Sequence, residues 1–392
     1  MRRARPGAKA HRLRVAVFLP RPSPFYLALL FGLKRGLERN DVEVFAAASL
    51  YDEASLLELC RQFKPQLVLE MNRTRAQVPH LPAGIVHAAW IVDALEHSVD
   101  YFCCSDITYF FGGNWRHAFQ SQGGLVDWLP PGACEDSYPY RPKPPLSDFS
   151  FVGHIPKPWS QQELGREICR SQEGLVIEFS QFHDELLEHW RDIEIERHGN
   201  MTYLNSAYRL LAERYGQRIA IQDQSLRYDL GCRMIRMRNR HRLLALVAGG
   251  DVSLRIYGSA NWRAWPAYRH YYRRFASSSA SLCRIYQTTK LNLHEGVAPH
   301  FRVMDAMAAG GVMCLLRSYD DRAVDGMEEL FEPFVHYIPF DESDFTALTE
   351  KYLYDTQARS AMAAAAAHEI LARHTWTHRA RKILDDYQRV VG

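Results

Sequence analysis

Patterned cysteine is missing from this chain. Eight cysteines are scattered over 392 residues, only Cys103 and Cys104 lie close together, and no C-x-x-C pair or Cys/His ligand spacing appears. No zinc framework or disulfide scaffold is therefore expected, and the thiols read as reduced, in a cytoplasmic setting. Long apolar runs are missing too. "VAVFL" stops at Pro20, Arg21, Pro22 and Pro24, and "FYLALLFGL" is too short to span a bilayer. Neither a secretion signal nor a membrane helix is expected. An excess of one sign of charge is nearly absent: the formal net charge is +3, which implies no broad surface for a polyanion. No GxSxG, P-loop lysine, HExxH or EF-hand pattern occurs, and no GxGxxG marks a dehydrogenase. Internal repeats of 20–50 residues are also lacking.

What is present is an ordinary soluble composition, 47% hydrophobic and 24% charged, in a chain long enough for two domains. Its positive charge is uneven. "MRRARPGAKAHRLR" carries Arg2, Arg3, Arg5, Lys9, Arg12 and Arg14 without an acid. A basic disordered tail over 1–12 is expected, with peripheral contact to an acidic membrane surface, or adhesion to nucleic acid, as the sharper alternatives.

From residue 13 short apolar runs alternate with amphipathic stretches. "LRVAVFLP", "VEVFAAA", "PQLVLEMN", "GIVHAAWIVD" and "ITYFFGG" read as strands; "FYLALLFGLKRGLERN" and "EASLLELCRQF" read as helices. Such alternation implies βαβ units and a parallel sheet. Ligands then sit beyond the carboxyl ends of strands, here after Leu19, Met71 and Asp93. Six prolines in "PPGACEDSYPYRPKPPLSDF" predict an extended linker over 130–150. "FSFVGHI" opens a new strand, and 160–245 reads as a mostly helical insert. A second βα series runs from "VSLRIYGS" to a strand-like "FVHYIPF", and the chain then turns helical. The expectation is two similar α/β domains facing each other, 13–148 and 149–374, with a last helix over 375–392.

The densest chemistry lies in "KLNLHEGVAPHFRVMDAMAAGGVMCLL", residues 290–316. A strand ends near Leu293. His294 and Glu295 lie in the loop that runs to His300, and a helix spans Phe301–Ala309 before the Gly310–Gly311 break. Backbone N–H groups at the helix start attract phosphate, and Arg302 adds a charge-assisted fork for a diphosphate. Asp305, one turn further in, can accept two hydrogen bonds from a ribose diol. His294 and Glu295 stand where a sugar ring meets the loop. The group suits a nucleotide-sugar. The plainer alternative is an acid favoured by the helix dipole and a surface pair of Arg302 with Asp305.

"FRVMDAMAAGGVMCL" resembles the donor-site segment of GT-B glycosyltransferases. It is most similar to the CgeB-like, spore-maturation branch, whose pattern runs Arg-Val-hydrophobic-Glu-Ala-x-Ala-x-Gly. "RIYQTTKLNLH", "LRIYGS", "EELFEPFVHYIPF" and "HTWTHRARKIL" fit that branch, while "AAWIVDA", "LPPGAC" and "FSFVGHI" resemble its first half and crossover. The resemblance implies two Rossmann-like parallel-sheet domains facing a central cleft, with the last helix crossing back to the first. It implies transfer of a sugar, a hexose, from a nucleotide-sugar to a hydroxyl on a surface glycan, lipid-linked glycan or protein. No cofactor and no metal is implied, and retention of configuration is the expected outcome. Asp305 takes the place of the family's ribose-binding Glu. The related families' earlier acid, eight residues before, falls here on Val297, so Glu295 is a displaced counterpart. A non-catalytic sugar-binding or scaffold protein is the alternative from another class.

Further candidates lie outside this segment. Asp93, at a strand's carboxyl end, either meets the acceptor hydroxyl as general base or caps a helix over "ALEHSVDYF". His87 is six residues away, on the same face or simply a satisfied core histidine. Gly153 and His154 end the crossover strand, with Lys157 facing either diphosphate or solvent. Gly258 is read as allowing close approach of the nucleotide base. The aromatic, arginine-rich stretch 258–275 can stack a sugar or base or simply pack, and no nucleic-acid partner is expected. "RMIRMRNRHR" reads as a solvated helix face, with an acidic partner as the minority alternative.

Overall fold

The computed structural model describes residues 12–93, 102–112, 116, 123–170, 176–188, 201–216, 218, 221–295, 299–318 and 321–392. The basic tail before Arg12, the segment after Asp93 and Val297 lie outside the described residues.

The first half alternates β1 (Arg14–Phe18), α1 (Pro24–Glu38), β2 (Glu43–Ala47), α2 (Glu53–Phe63), β3 (Leu67–Met71) and β4 (Val86–Ile91), followed by β5 (Ile107–Phe110) and β6 (Leu125–Trp128). These form a six-stranded sheet in the order β2-β1-β3-β4-β5-β6, every pair parallel. Strands β3, β4 and β5 are buried along their whole length, which explains their unbroken apolar runs. Helix α1 begins at Ser23, whose side chain accepts from the Tyr26 N–H, with Pro24 in the first turn.

The second half opens with β7 (Ser147–Val152) and the short α3 (Gln161–Leu164). The region expected to be helical then forms a two-stranded antiparallel piece, β8 (Glu167–Arg170) with β9 (Val176–Glu178). Next come α4 (Phe179–Glu188), α5 (Met201–Tyr215), α6 (Gln224–Tyr228), a π-helical turn over Asp229–Arg233, and α7 (Met234–Ala245). The series resumes with β10 (Leu254–Tyr257), β11 (Tyr272–Arg274), α8 (Ser279–Gln287), β12 (Thr289–His294), α9 (Phe301–Ala309), β13 (Met313–Leu316) and β14 (Ile338–Phe340). Helices α10 (Phe345–Tyr354), α11 (Thr356–Arg373) and α12 (Trp376–Val391) close the chain. The second sheet has the order β11-β10-β7-β12-β13-β14, again all parallel. Strand β14 is shorter than "FVHYIPF" suggested, because Phe334 adopts φ +63 and breaks the extended run.

The proline-rich crossover is not a free linker. Pro130–Cys134 is buried, Ala133 N donates to His374 O at 2.9 Å, and Trp376 N donates to Ala133 O at 3.0 Å. Helix α12 then lies on α1. A Cβ at Gly36 would stand 2.3 Å from the Trp376 carbonyl oxygen, so only glycine permits this approach. Trp376, Ala380, Ile383 and Tyr387 join the apolar core of the first sheet. Tyr109 Oη donates to Asp386 Oδ2 at 2.9 Å, and Lys382 pairs with Asp127. Among the described residues no helix is long and apolar enough to cross a membrane.

Candidate functional site

The carboxyl ends of the two sheets meet at the start of α9. Phe301 stacks on Phe111 (5.1 Å between centroids, 15° between planes) and stands edge-on to Phe25 at 5.1 Å. Phe111 follows β5 and Phe25 starts α1, so a residue of the second half belongs to the core of the first. This contact fixes where the start of α9 points.

His300 caps α9: its Nδ1 accepts from the Arg302 N–H at 3.2 Å. One of the backbone donors expected to meet phosphate is thereby taken. The Arg302 guanidinium reaches the Val152 carbonyl and lies 3.7 Å from Glu295 Oε1. It lies against Gly153, where a Cβ would stand 2.6 Å from Arg302 Nη1. Glu295, placed by the loop reading where a sugar ring meets it, is turned inward onto side chains of the chain itself. It is buried and pairs with Arg240 Nη2 at 2.9 Å. Burial acts to raise its carboxyl, but Arg240 and then Arg302 hold it below the usual range.

Arg240 was not a sequence candidate. The arginine-rich segment is not a solvated face. Met237, Arg240, Leu243 and Leu244 share a buried stripe of α7, so one guanidinium is carried inside. Burial lowers its pKa to about 10, which still leaves it charged. Arg233, from the same run, stacks on Trp159 at 3.8 Å and pairs with Glu163. The spacing 237, 240, 244 was the available signal, since it puts Arg240 in line with apolar neighbours.

His294 and His300 lie 5.0 Å apart, and burial with Arg302 nearby pushes both rings well below the ordinary histidine range. Both are neutral near pH 7. Neither ring nitrogen of His294 has a partner among the described residues, although the residue is only 2% exposed. His154 bonds Ser259 Oγ at 2.9 Å, and burial, then Arg240 and Arg236, lower it to about 4.

Asp305 lies against the crossover. The Tyr138 hydroxyl hydrogen-bonds to it, and burial pushes its carboxyl up to about 8 against that bond. No ion pair joins it to Arg302 among the described residues. Tyr138 was not a sequence candidate; it comes from the proline-rich stretch read as linker.

Four candidates fall elsewhere or serve other ends. Lys157 is exposed, and the charges acting on His294, Glu295 and His300 are those of Arg240, Arg302 and one another. The second cation beside Glu295 is Arg240. Gly258 is required by the chain itself, because a Cβ there would stand 1.9 Å from the Gly153 carbonyl oxygen. The aromatic stretch packs: Trp262 is fully buried and donates to Gly153 O, while Trp265 donates to Pro156 O. His87 is a satisfied core histidine, with Ser105 Oγ at 3.0 Å and Glu70 Oε2 at 3.1 Å.

Asp93 is exposed at the carboxyl end of β4, its N–H bonded to Asn72 Oδ1 at 3.0 Å. Its charge acts on Tyr26, next to Phe25 at the α9 contact. The helix it was expected to cap falls on 94–101, outside the described residues. Among the described residues no group of three or more His, Cys, Asp or Glu is placed to hold a metal ion.

Residues 237–385 match the model of a family described as glycosyl transferase-like. No curated protein matches the chain in sequence. Among the solved structures similar in fold are two glycosyltransferases. One is an alpha-glucosyltransferase in complex with UDP and a 13-mer DNA, with TM-score 0.51, 8% identity, and 97% of this chain and 100% of that chain covered. The other is AviGT4, a glycosyltransferase involved in avilamycin A biosynthesis, with TM-score 0.50, 10% identity, and 96% and 98% covered. The two facing parallel sheets are the GT-B fold.

Proposed function

We propose that this chain is a glycosyltransferase of the CgeB-like branch that moves a sugar, a hexose in the fullest form of the reading, from a nucleotide-sugar to a hydroxyl acceptor. The observation that carries it is the pair of guanidiniums, Arg240 and Arg302, at the start of α9, where the carboxyl ends of the two sheets meet. When the glycosidic bond to the donor breaks, negative charge develops on the leaving diphosphate. Two fixed cations in a site shielded from water stabilise that charge without reorganising. They supply what a divalent cation supplies in other transferases, so turnover is expected to be metal-independent.

Asp305 takes the ribose and His294 and His300 border the sugar, their neutral rings able to donate or accept hydrogen bonds without adding charge. Asp93 faces the same junction from the first sheet and takes the acceptor proton. The acceptor is a glycan, a lipid-linked glycan or a protein side chain.

The test is a titration with UDP, GDP, dTDP, CDP and ADP, with and without Mg²⁺ and after chelation. One diphosphate is expected to bind, unaffected by chelation and weakened by Arg302→Ala and Asp305→Ala. A well-folded protein that binds none of them overturns the proposal.

A further inference from the structure

We propose that Glu295 is a built-in counterion which the donor diphosphate must displace, so that this acid sets donor affinity. The inference rests on the donor-site reading above and concerns the same two arginines. Arg240 Nη2 and Arg302 Nη2 approach the same carboxylate oxygen, Oε1, at 2.9 and 3.7 Å. Among the described residues the other oxygen, Oε2, has no partner, and neither has Arg240 Nε. Beside them the two nitrogens of His294 are likewise unpaired and buried. A buried carboxylate kept for stability alone fills its hydrogen-bonding capacity, because each unpaired polar atom costs about 1–3 kcal/mol. Here one oxygen neutralises two cations and much of the surrounding capacity goes unused.

A diphosphate answers those needs better than one carboxylate. It carries more charge and several acceptor oxygens, and can meet both guanidinium forks at once. Glu295 also explains how two arginines persist in a buried place, since the carboxylate offsets their repulsion until a stronger anion arrives. Exchange requires only that the Glu295 side chain rotate away from Oε1 contact. Glu295 is then a positioning residue, and its contribution to donor binding is negative. A sugar-contacting role predicts the opposite sign.

The test is calorimetry on the full chain with inorganic pyrophosphate and the five nucleoside diphosphates. Wild type, Glu295→Gln and Arg302→Ala are compared. Glu295→Gln is expected to bind pyrophosphate and the preferred diphosphate about tenfold tighter than wild type. Pyrophosphate is also expected to raise its Tm more than it raises the wild-type Tm. A merely structural residue gives no gain in affinity. If wild type binds and Arg302→Ala weakens it, while Glu295→Gln binds equally or less well, the counterion role is overturned and the donor site stands. If neither wild type nor Glu295→Gln binds any diphosphate, the donor-site reading falls with it. Should Glu295→Gln fail to fold, Glu295→Asp is read in the same assay: tighter binding supports displacement, and unchanged or weaker binding overturns it.

Discussion

Two buried clusters in this protein use the same three residue types and differ in how completely they are paired. In the first sheet, Glu70 is flanked by Arg73 and His87. Arg73 Nε donates to it at 2.7 Å, His87 Nε2 lies 3.1 Å away, and His87 Nδ1 meets Ser105 Oγ. Arg73 also reaches the Tyr51 carbonyl. In the second half, Glu295 is flanked by Arg240 and Arg302, with His294 and His300 alongside. Here one carboxylate oxygen, one guanidinium nitrogen and two ring nitrogens have no partner among the described residues. Buried charge is costly in both places. The first cluster is closed and supports the fold. The second keeps donors and acceptors in reserve, which is the mark of a place prepared for a ligand.

Substitutions can separate the two. Glu70→Ala strips a buried arginine of its carboxylate and is expected to cost about 3–5 kcal/mol of stability in urea unfolding. Diphosphate binding by the folded fraction is expected to stay unchanged. Arg302→Ala is expected to do the reverse: about 3 kcal/mol of transition-state stabilisation, or roughly 100-fold in turnover, with the unfolding curve nearly intact. A near-normal rate would break the comparison on its functional side. The histidines sharpen it further. His87→Phe leaves Glu70 and Ser105 each short of a partner, at about 2 kcal/mol in all. His294→Phe removes two buried nitrogens that lack partners among the described residues, so the unfolding curve is expected to hold or move upward while donor binding falls. Equal losses at both positions would erase the distinction.

The smallest expected effect concerns pH. The folded chain holds the Asp305 proton up to about pH 8, whereas the unfolded chain releases it near the ordinary 3.8. Stability from this group is therefore present below about pH 4 and declines as pH rises toward 8. Asp305→Asn should flatten that decline and raise stability at pH 8 by roughly 1 kcal/mol, a value kept low because the side chain is partly wet. Melting curves from pH 4 to 8 read it directly.

Much of this architecture was legible in the sequence. The unbroken apolar runs "LVLEM" and "VHAAWI" are what a strand buried on both faces needs, and α9 runs between the residues where its loop and its glycines placed it. The β8–β9 pair was not legible, since "EICR" and "VIE" are too short to show a period. Strand β6 is only half-buried and lacks an apolar run. In the site, Arg302, His294, His300 and Asp305 stand out because they sit in one continuous segment. Arg240 and Tyr138 arrive from distant positions, one concealed in a charged run and one in a proline-rich stretch. A single sequence gives no measure of such long-range proximity, nor of whether a carboxylate such as Glu295 faces solvent or another side chain.

One feature of the fold bears on how the chain is made. The core of the first sheet includes Trp376, Ala380, Ile383 and Tyr387. During synthesis the first strands emerge early, yet their packing is incomplete until residue 387 has left the ribosome. The second sheet, whose strands and covering helices run from β7 to α11, is complete before then. The first half therefore cannot complete its core ahead of the second, as an amino-terminal unit ordinarily does. A chain truncated after residue 374 is expected to keep a folded second half and a first half open to protease.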